Sequence, residues 1–390
     1  MISMRPILSI VIAQLFGTSL WFSANGVAGD LMRAWGLTTG DIGLLTNAVQ
    51  LGFICGTLSF SLSGLADRFA ASRIFAVCAT LGGLFNAAFA LTAHGLPAGL
   101  PLRFAVGFCL AGVYPLGMKL VVSWVPEKAG NALSQLIGML TLGTALPYGI
   151  RLVGSSWPWQ ASILAASLLA FVAAVMMWRL GDGPHLSRQA EKSALRSGHV
   201  LRSFAIPQFR ASALGYFGHM WEIYAFWTLI PVLIVLGGIA APASHAVSGY
   251  AFAVIAIGGL GCIVGGVWSR RFGSPRVAAA ALGISGLCCA LYPFSTGWNL
   301  NAQLLLLLVW GATVSADSPH FSALSAKACP PNMVGSALAL QNAIGFAISM
   351  VSIQLGTGIV AHSGAYVSWL LLPGPVLGLI GFYPLLKKRP

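Results

Sequence analysis

The sequence predicts an all-helical membrane protein: twelve transmembrane helices arranged as two six-helix bundles, the second a parallel repeat of the first. Three observations predict this. Of the 390 residues 57% are hydrophobic and 7% charged, against about 25% charged in soluble domains. Apolar runs of about twenty residues, each enough to cross roughly 30 Å of hydrocarbon as a helix, recur along the whole chain. Two charge-flanked loops, Asp67-Arg68-Phe69-Ala70-Ala71-Ser72-Arg73 and Arg270-Arg271-Phe272-Gly273-Ser274-Pro275-Arg276, lie between such runs about two hundred residues apart.

The first run, 7–29, exceeds the 7 to 15 apolar residues of a secretory signal and reads as a membrane span. Runs 42–65 and 74–93 flank the first charged loop, and 98–122, 132–153 and 159–179 complete the first half. The polar stretch 181–210, with Asp182, Arg188, Glu191, Lys192, Arg196 and Arg202, reads as a cytoplasmic linker between a bundle at 1–180 and another at 211–390. The second half repeats the plan with 211–237, 246–268, 277–295, 302–324, 334–360 and 366–386.

Short cytoplasmic loops collect Lys and Arg. With both termini cytoplasmic, Arg5, Arg68, Arg73, Lys128, Arg179, the linker cations, Arg270, Arg271, Arg276, Lys327, Lys387, Lys388 and Arg389 lie inside, and among outer loops Arg33 breaks the rule. A basic inner surface facing an anionic lipid bilayer accounts for the net charge of +13 without nucleic acid. The expected location is the cytoplasmic (inner) membrane. Gly107 and Pro115 correspond to Gly311 and Pro319 at an offset of 204, and Gly130-Asn131-Ala132-Leu133 to Gly335-Ser336-Ala337-Leu338 at 205. Parallel halves of this kind rock about a midplane site.

Gly64-Leu65-Ala66-Asp67-Arg68 followed by Arg73 resembles the loop signature of the major facilitator superfamily. Arg103-Phe104-Ala105-Val106-Gly107 is similar to that superfamily's fourth-helix motif, whose arginine is linked to proton movement. Gly138, Gly143 and Pro147 weakly resemble its antiporter motif, without the usual glycine-proline adjacency. The resemblance covers the whole chain and implies that family's fold and alternating-access transport. Gly64, Asp67, Arg68, Arg73, Arg270, Arg271 and Arg276 are then gating-loop residues. At a helix end, Asp67 engages backbone dipoles and arginines as a cytoplasmic latch. The second loop has arginine in its place, so the latch is one-sided.

Functional residues are expected among intramembrane charges, each disfavoured by about 2.5–3.5 kcal/mol on insertion scales. These are Arg103, Lys119, Glu222 and Asp317, with Arg151 near an outer end and His219 and His320 beside the acids. At a 3.6-residue period Gly215, His219, Glu222 and Phe226 share one face. A carboxyl group with a histidine one turn away is what a proton carrier requires. Asp317 and His320 repeat the spacing around Pro319, either as part of a bending gate or with Asp317 capping backbone groups that the proline frees. Tyr114, eleven residues beyond Arg103, returns to nearly its face, and the two make a plausible carboxylate site. Lys119 lies about 160° round from Arg103 on a straight helix and either snorkels, as Arg151 does outward, or meets substrate. Asn25, Gln50, Tyr148, Trp221 and Tyr224 complete the expected lining.

The seven cysteines show no metal-ligand spacing and read as small apolar packing, so no metal or cofactor is expected. Gly283-Ile284-Ser285-Gly286 matches the string of intramembrane serine proteases, with His320 in the next span, but twelve spans exceed what such proteases use. Lone acids in non-equivalent helices form no channel ring. The expectation is a secondary transporter and no enzyme: a monomer carrying a small organic anion by proton-coupled alternating access. The alternative is export of amphipathic or cationic compounds in exchange for protons, with Glu222 binding the cation directly.

Overall fold

The computed structural model describes residues 5–186, 199–242, 244–330 and 333–387, without the side chains of residues 5, 66–67, 128–131 and 199. Every regular element among them is helical. The chain divides into two compact units, Met1–Arg196 and Ser197–Pro390. Unit 1 contains α1 (Arg5–Thr18), α2 (Ala28–Trp35), α3 (Thr39–Ser63), α4 (Leu65–Arg68), α5 (Ala71–Thr92), α6 (Leu96–Leu110), α7 (Tyr114–Trp124), α8 (Ala129–Val153) and α9 (Trp159–Leu180). Unit 2 contains α10 (Pro207–Leu236), α11 (His245–Phe272), α12 (Ser274–Leu291), α13 (Leu300–Ala316), α14 (Ser318–Ala328), α15 (Val334–Ser363), α16 (Pro373–Phe382) and α17 (Pro384–Lys387).

Ten described segments are long and apolar enough to cross a membrane. One of them, Val334–Phe382, runs 49 residues, more than twice the roughly twenty that one crossing needs, and breaks at Gly364. It holds two passes, and α1 with its continuation supplies the twelfth. Local chemistry sets the helix ends. Thr38 and Asp41 form a reciprocal capping box that opens α3, and Gly64, at φ +67°, closes it in the left-handed region glycine tolerates. Leu84, Leu91, Leu168, Leu305 and Leu377 stay exposed, as the outer face of a lipid-solvated helix does.

Each unit has its own packing plan, and the plans match. In unit 1 α3 packs on α6, α5 on α9, and α1 on both α8 and α9. In unit 2 α11 packs on α13, α12 on α16, and α10 on both α15 and α16. Gly107 and Gly311 serve the equivalent crossings. A methyl on Gly107 would collide with the Val49 carbonyl, and one on Gly311 with the Val254 carbonyl, so both pairs approach backbone to backbone.

Four expected continuous spans are interrupted. The fourth breaks at 111–113 between α6 and α7, and the tenth at Asp317 between α13 and α14. In each case the new helix has proline as its second residue, Pro115 or Pro319, which cannot donate to the preceding turn. The first span stops at Thr18 and turns through 19–24 before resuming, and the twelfth is a 3₁₀ segment, Gly364–Leu370, followed by α16 and α17. The linker is also shorter than 181–210, since α10 starts at Pro207. Its first residues are tied down: Gly183 N donates to Ser123 Oγ (3.1 Å) and His185 N to the Ser123 carbonyl (3.0 Å). Residues 187–198, including Arg188, Glu191, Lys192 and Arg196, lie outside the described residues.

Candidate functional site

Glu222 is fully buried at the centre of α10. Trp310 Nε1 donates to its Oε1 (2.7 Å), Cys289 Sγ to Oε1 (3.2 Å) and Ser285 Oγ to Oε2 (2.9 Å). Ser285 and Cys289 sit four residues apart and so share a face of α12, while Trp310 is held on α13 by Phe226, their centroids 4.3 Å apart. The donors are all neutral. Among the described residues the carboxyl group is therefore solvated without a cation and can gain or lose a proton without breaking an ion pair. The single hydroxyl hydrogen of Ser285 is within reach of Glu222 Oε2 and the Leu282 carbonyl, not of a histidine, which removes the protease geometry.

The sequence pairs His219 with Glu222 and Asp317 with His320, but the structure pairs them across helices. His219 Nδ1 of α10 lies 2.8 Å from Asp317 Oδ1 at the α13/α14 break. Both residues are buried, and the contact has ion-pair distance without hydrogen-bond alignment. Asp317 caps α14 with no side-chain bond, so its carboxylate is not used on the backbone that Pro319 frees. Asp317 Oδ2 is buried without a hydrogen-bond partner among the described residues, and His320 Nε2 lies against Gly265 of α11. His219 and Glu222 share the helix face, yet one is directed at α14 and the other at α12 and α13.

Arg103 is also fully buried, and it is a brace in this structure. Its Nη2 donates to the carbonyls of Leu20 (3.0 Å) and Trp21 (2.6 Å), and its Nη1 to Ser23 Oγ and Asn86 Oδ1, both at 2.9 Å. Those carbonyls belong to the turn where the first span loses its helix, so the guanidinium fork replaces missing backbone donors. The expected Arg103–Tyr114 line also fails, because the break at 111–113 resets the helical register. Tyr114 is half-buried and stacks on Phe53 (6.4 Å). With Pro115, Met118, Lys119 and Val122 it forms one incompletely buried face of α7.

Other expected lining residues are engaged within their own unit. Asn25 Nδ2 donates to Thr46 Oγ1 (2.9 Å), Gln50 Oε1 accepts from Trp21 Nε1 (3.2 Å) and Trp221 Nε1 donates to the Leu370 carbonyl (2.8 Å). Tyr224 packs on Phe346 and Trp227, 5.1 and 5.3 Å away. Tyr148 is buried with its hydroxyl unpartnered among the described residues. Arg151 does not snorkel: it grips Asp30 in a two-pronged ion pair, both contacts at 3.0 Å, and donates to the carbonyls of Gly154 and Trp157.

Among the gating-loop residues, Arg68, Arg270, Arg271 and Arg276 are exposed, and Arg73 stacks on Trp178 (5.9 Å). The Asp67 side chain lies outside the description. Asp182 is an acid that does bond at this end, accepting from Ser72 N (2.8 Å) in the first turn of α5. Sequence reasoning took Asp182 as a linker charge and missed Trp310, Ser285 and Cys289 as the surroundings of Glu222. A polar pair spaced i, i+4 in an apolar helix was the signal for the last two.

Residues 10–353 match the family model described as Major Facilitator Superfamily. The chain is 26% identical over 246 residues to the putative niacin/nicotinamide transporter NiaP of Bacillus subtilis, a match spanning 61% of this chain and 60% of that relative. It is 25% identical over 387 residues to the 3-(3-hydroxy-phenyl)propionate transporter of Escherichia coli, spanning 94% of this chain and 91% of that one. Among solved structures, the xylose transporter XylE from E. coli in a partially occluded inward open conformation has a TM-score of 0.74 at 15% identity, covering 99% of this chain and all of the other.

Proposed function

The chain belongs to the major facilitator superfamily and is a multi-pass membrane transporter of a small molecule; on that premise we propose that it moves an aromatic carboxylate together with protons across the inner membrane. The observation that carries the coupling is Glu222, buried with three neutral donors and no cation. Such a group changes protonation at little structural cost, as a proton carrier must. The His219–Asp317 contact provides a second titratable pair in the same unit. Both relatives are named for small ring compounds, and niacin and the propionate are carboxylic acids. Lys119, half-buried on the α7 face with Tyr114, takes the anion role that Arg103 cannot fill while its donors brace the first span. The positive-inside bias supports cytoplasmic termini. The exporter reading is the weaker one, because Glu222 has no open side for a cation.

The test is transport in proteoliposomes with Glu222→Gln. The substitution suits the site: the amide oxygen can keep Trp310 and Cys289, and its NH₂ can donate to Ser285 Oγ after the hydroxyl turns. Uphill accumulation driven by a pH gradient is expected to vanish while downhill exchange of a labelled aromatic acid persists. Accumulation equal to wild type would sink the coupling role. Inhibition by lipophilic cations but not by benzoate-type acids would sink the substrate class.

A further inference from the structure

We propose that the interior of unit 2 holds a proton path along α10 and α14, running from the Ser212–Ser325 pair to the His219–Asp317 pair, and that the ring of Phe321 closes it. The inference rests on the proton-coupled reading above and adds a route that reading does not require. Along α10 from its N-terminal end come Ser212, Gly215, His219 and Glu222. On α14 the opposing residues come in reverse: Ser325, Phe321, His320 and then Asp317.

Two rungs between these helices are polar. Ser325 Oγ donates to Ser212 Oγ (3.0 Å), which donates to the Phe321 carbonyl (2.9 Å). His219 meets Asp317 at 2.8 Å. The rung between them is apolar: the Phe321 ring presses against Gly215, where any side chain would collide with it, and Phe382 packs edge-on at 5.2 Å. The ring is fully buried, 6.1 Å from His219. Ser212 and His219 are seven residues apart, about 10 Å along a helix, too far for direct transfer. Beyond the ring waits Asp317 Oδ2, buried without a hydrogen-bond partner among the described residues, and His320 lies against Gly265 of α11. An unpaired buried carboxyl oxygen is unfavourable, and water or an arriving proton satisfies it.

When the ring swings off Gly215, water joins the rungs. A serine hydroxyl accepts one proton and releases another, an imidazole of His320 or His219 takes it, and Asp317 receives it, with Glu222 one turn farther along α10. Tyr216 lies beside His219, and Cys262 of α11 donates to the Ser315 carbonyl. Glu222 is the other carboxyl group buried in this unit among the described residues.

The experiment measures substrate-free proton flux under a pH gradient in vesicles loaded with a pH-sensitive dye. Wild type is expected to match protein-free vesicles, and Phe321→Ala to leak at least tenfold faster. Phe321→Leu, which keeps bulk at Gly215, should stay closed. Adding Ser212→Ala and Ser325→Ala to Phe321→Ala should cut the leak at least fivefold. Monodisperse Phe321→Ala protein that does not leak, or a leak indifferent to the serine substitutions, overturns the path. If Phe321→Ala fails to fold, the two serine substitutions in the native background should slow substrate-driven proton uptake at least fivefold, and an unchanged rate overturns the proposal. Loss of accumulation in Glu222→Gln with no path leak would leave coupling standing and remove the route; a leak alongside intact accumulation in Glu222→Gln would do the reverse.

Discussion

Replacing Arg103 with methionine keeps much of the volume and none of the donors, and so separates a brace from an anion site. The guanidinium serves four acceptors: the carbonyls of Leu20 and Trp21, Ser23 Oγ and Asn86 Oδ1. Ser23 Oγ has a single hydrogen and reaches both Leu20 O (3.1 Å) and Asn86 Oδ1 (2.6 Å), so it can satisfy only one of them. Asn86 Nδ2 stays bound to Ile163 O and Ser167 Oγ. The Leu20 carbonyl also accepts from Ser23 N (3.5 Å), so with the hydroxyl turned to Asn86 the substitution leaves one buried acceptor unpaired, Trp21 O, at about 1–3 kcal/mol. Relief from burying a charge works in the opposite direction, which puts the net loss in the lower half of that range, about 1–2 kcal/mol. For a unit of this size about 2–4 °C accompanies each kcal/mol, so Tm should fall by roughly 5 °C. Thermal unfolding of the purified protein in detergent reads it. A Tm within 2 °C of wild type combined with a hundredfold rise in KM for substrate would refute the brace and restore Arg103 as an anion contact.

Gly107→Ala and Gly311→Ala force apart helices that touch through backbone carbonyls and should each destabilise by about 1–3 kcal/mol; Gly358→Ala, which meets nothing within 4 Å, should not, and equal thermal shifts for all three would contradict the crossing. A double-mutant cycle on Asp30→Asn and Arg151→Gln should give a coupling energy of about 1–2 kcal/mol, whereas Arg33→Ala, on a side chain 60% exposed, should change stability by less than about 0.5 kcal/mol. Asp182→Ala removes a bond to the first turn of α5, costing about 0.5–2 kcal/mol, and faster amide exchange confined to that turn is the expected signature. Lys119→Gln should raise KM for an aromatic acid at least tenfold with little change in kcat; unchanged KM would take the residue out of the anion site.

The layout of the protein was readable because its rules act over long windows. Twenty-residue apolar runs, the siting of Lys and Arg, and the recurrence of Gly107/Gly311 and Pro115/Pro319 each leave a mark in the letters. The interruptions were not readable, since hydropathy records side chains and not the backbone bonds lost at 19–24 or 111–113. Arg103 illustrates the difficulty: two of its acceptors are main-chain carbonyls, which every residue owns. Face sharing was a sound guide to His219 and Glu222 lying one turn apart and a poor one to their partners, because His219 meets Asp317 while Glu222 meets Ser285, Cys289 and Trp310. Cys289 was hidden by its type, since a thiol bonding a carboxylate is rare beside the many that simply fill space.

Arg103 and Glu222 also differ in when their surroundings come to exist. As the ribosome delivers spans in order, Arg103 enters the bilayer with Leu20, Trp21, Ser23 and Asn86 already there, so the one side chain that cannot shed its charge arrives at a waiting set of acceptors. Glu222 enters ahead of Ser285, Cys289 and Trp310 and has nothing yet to bond. An acid can cross that interval by carrying a proton, and an arginine could not. The order in which this chain is synthesised thus suits the chemistry of each charge: the permanent one comes after its partners, the erasable one before them.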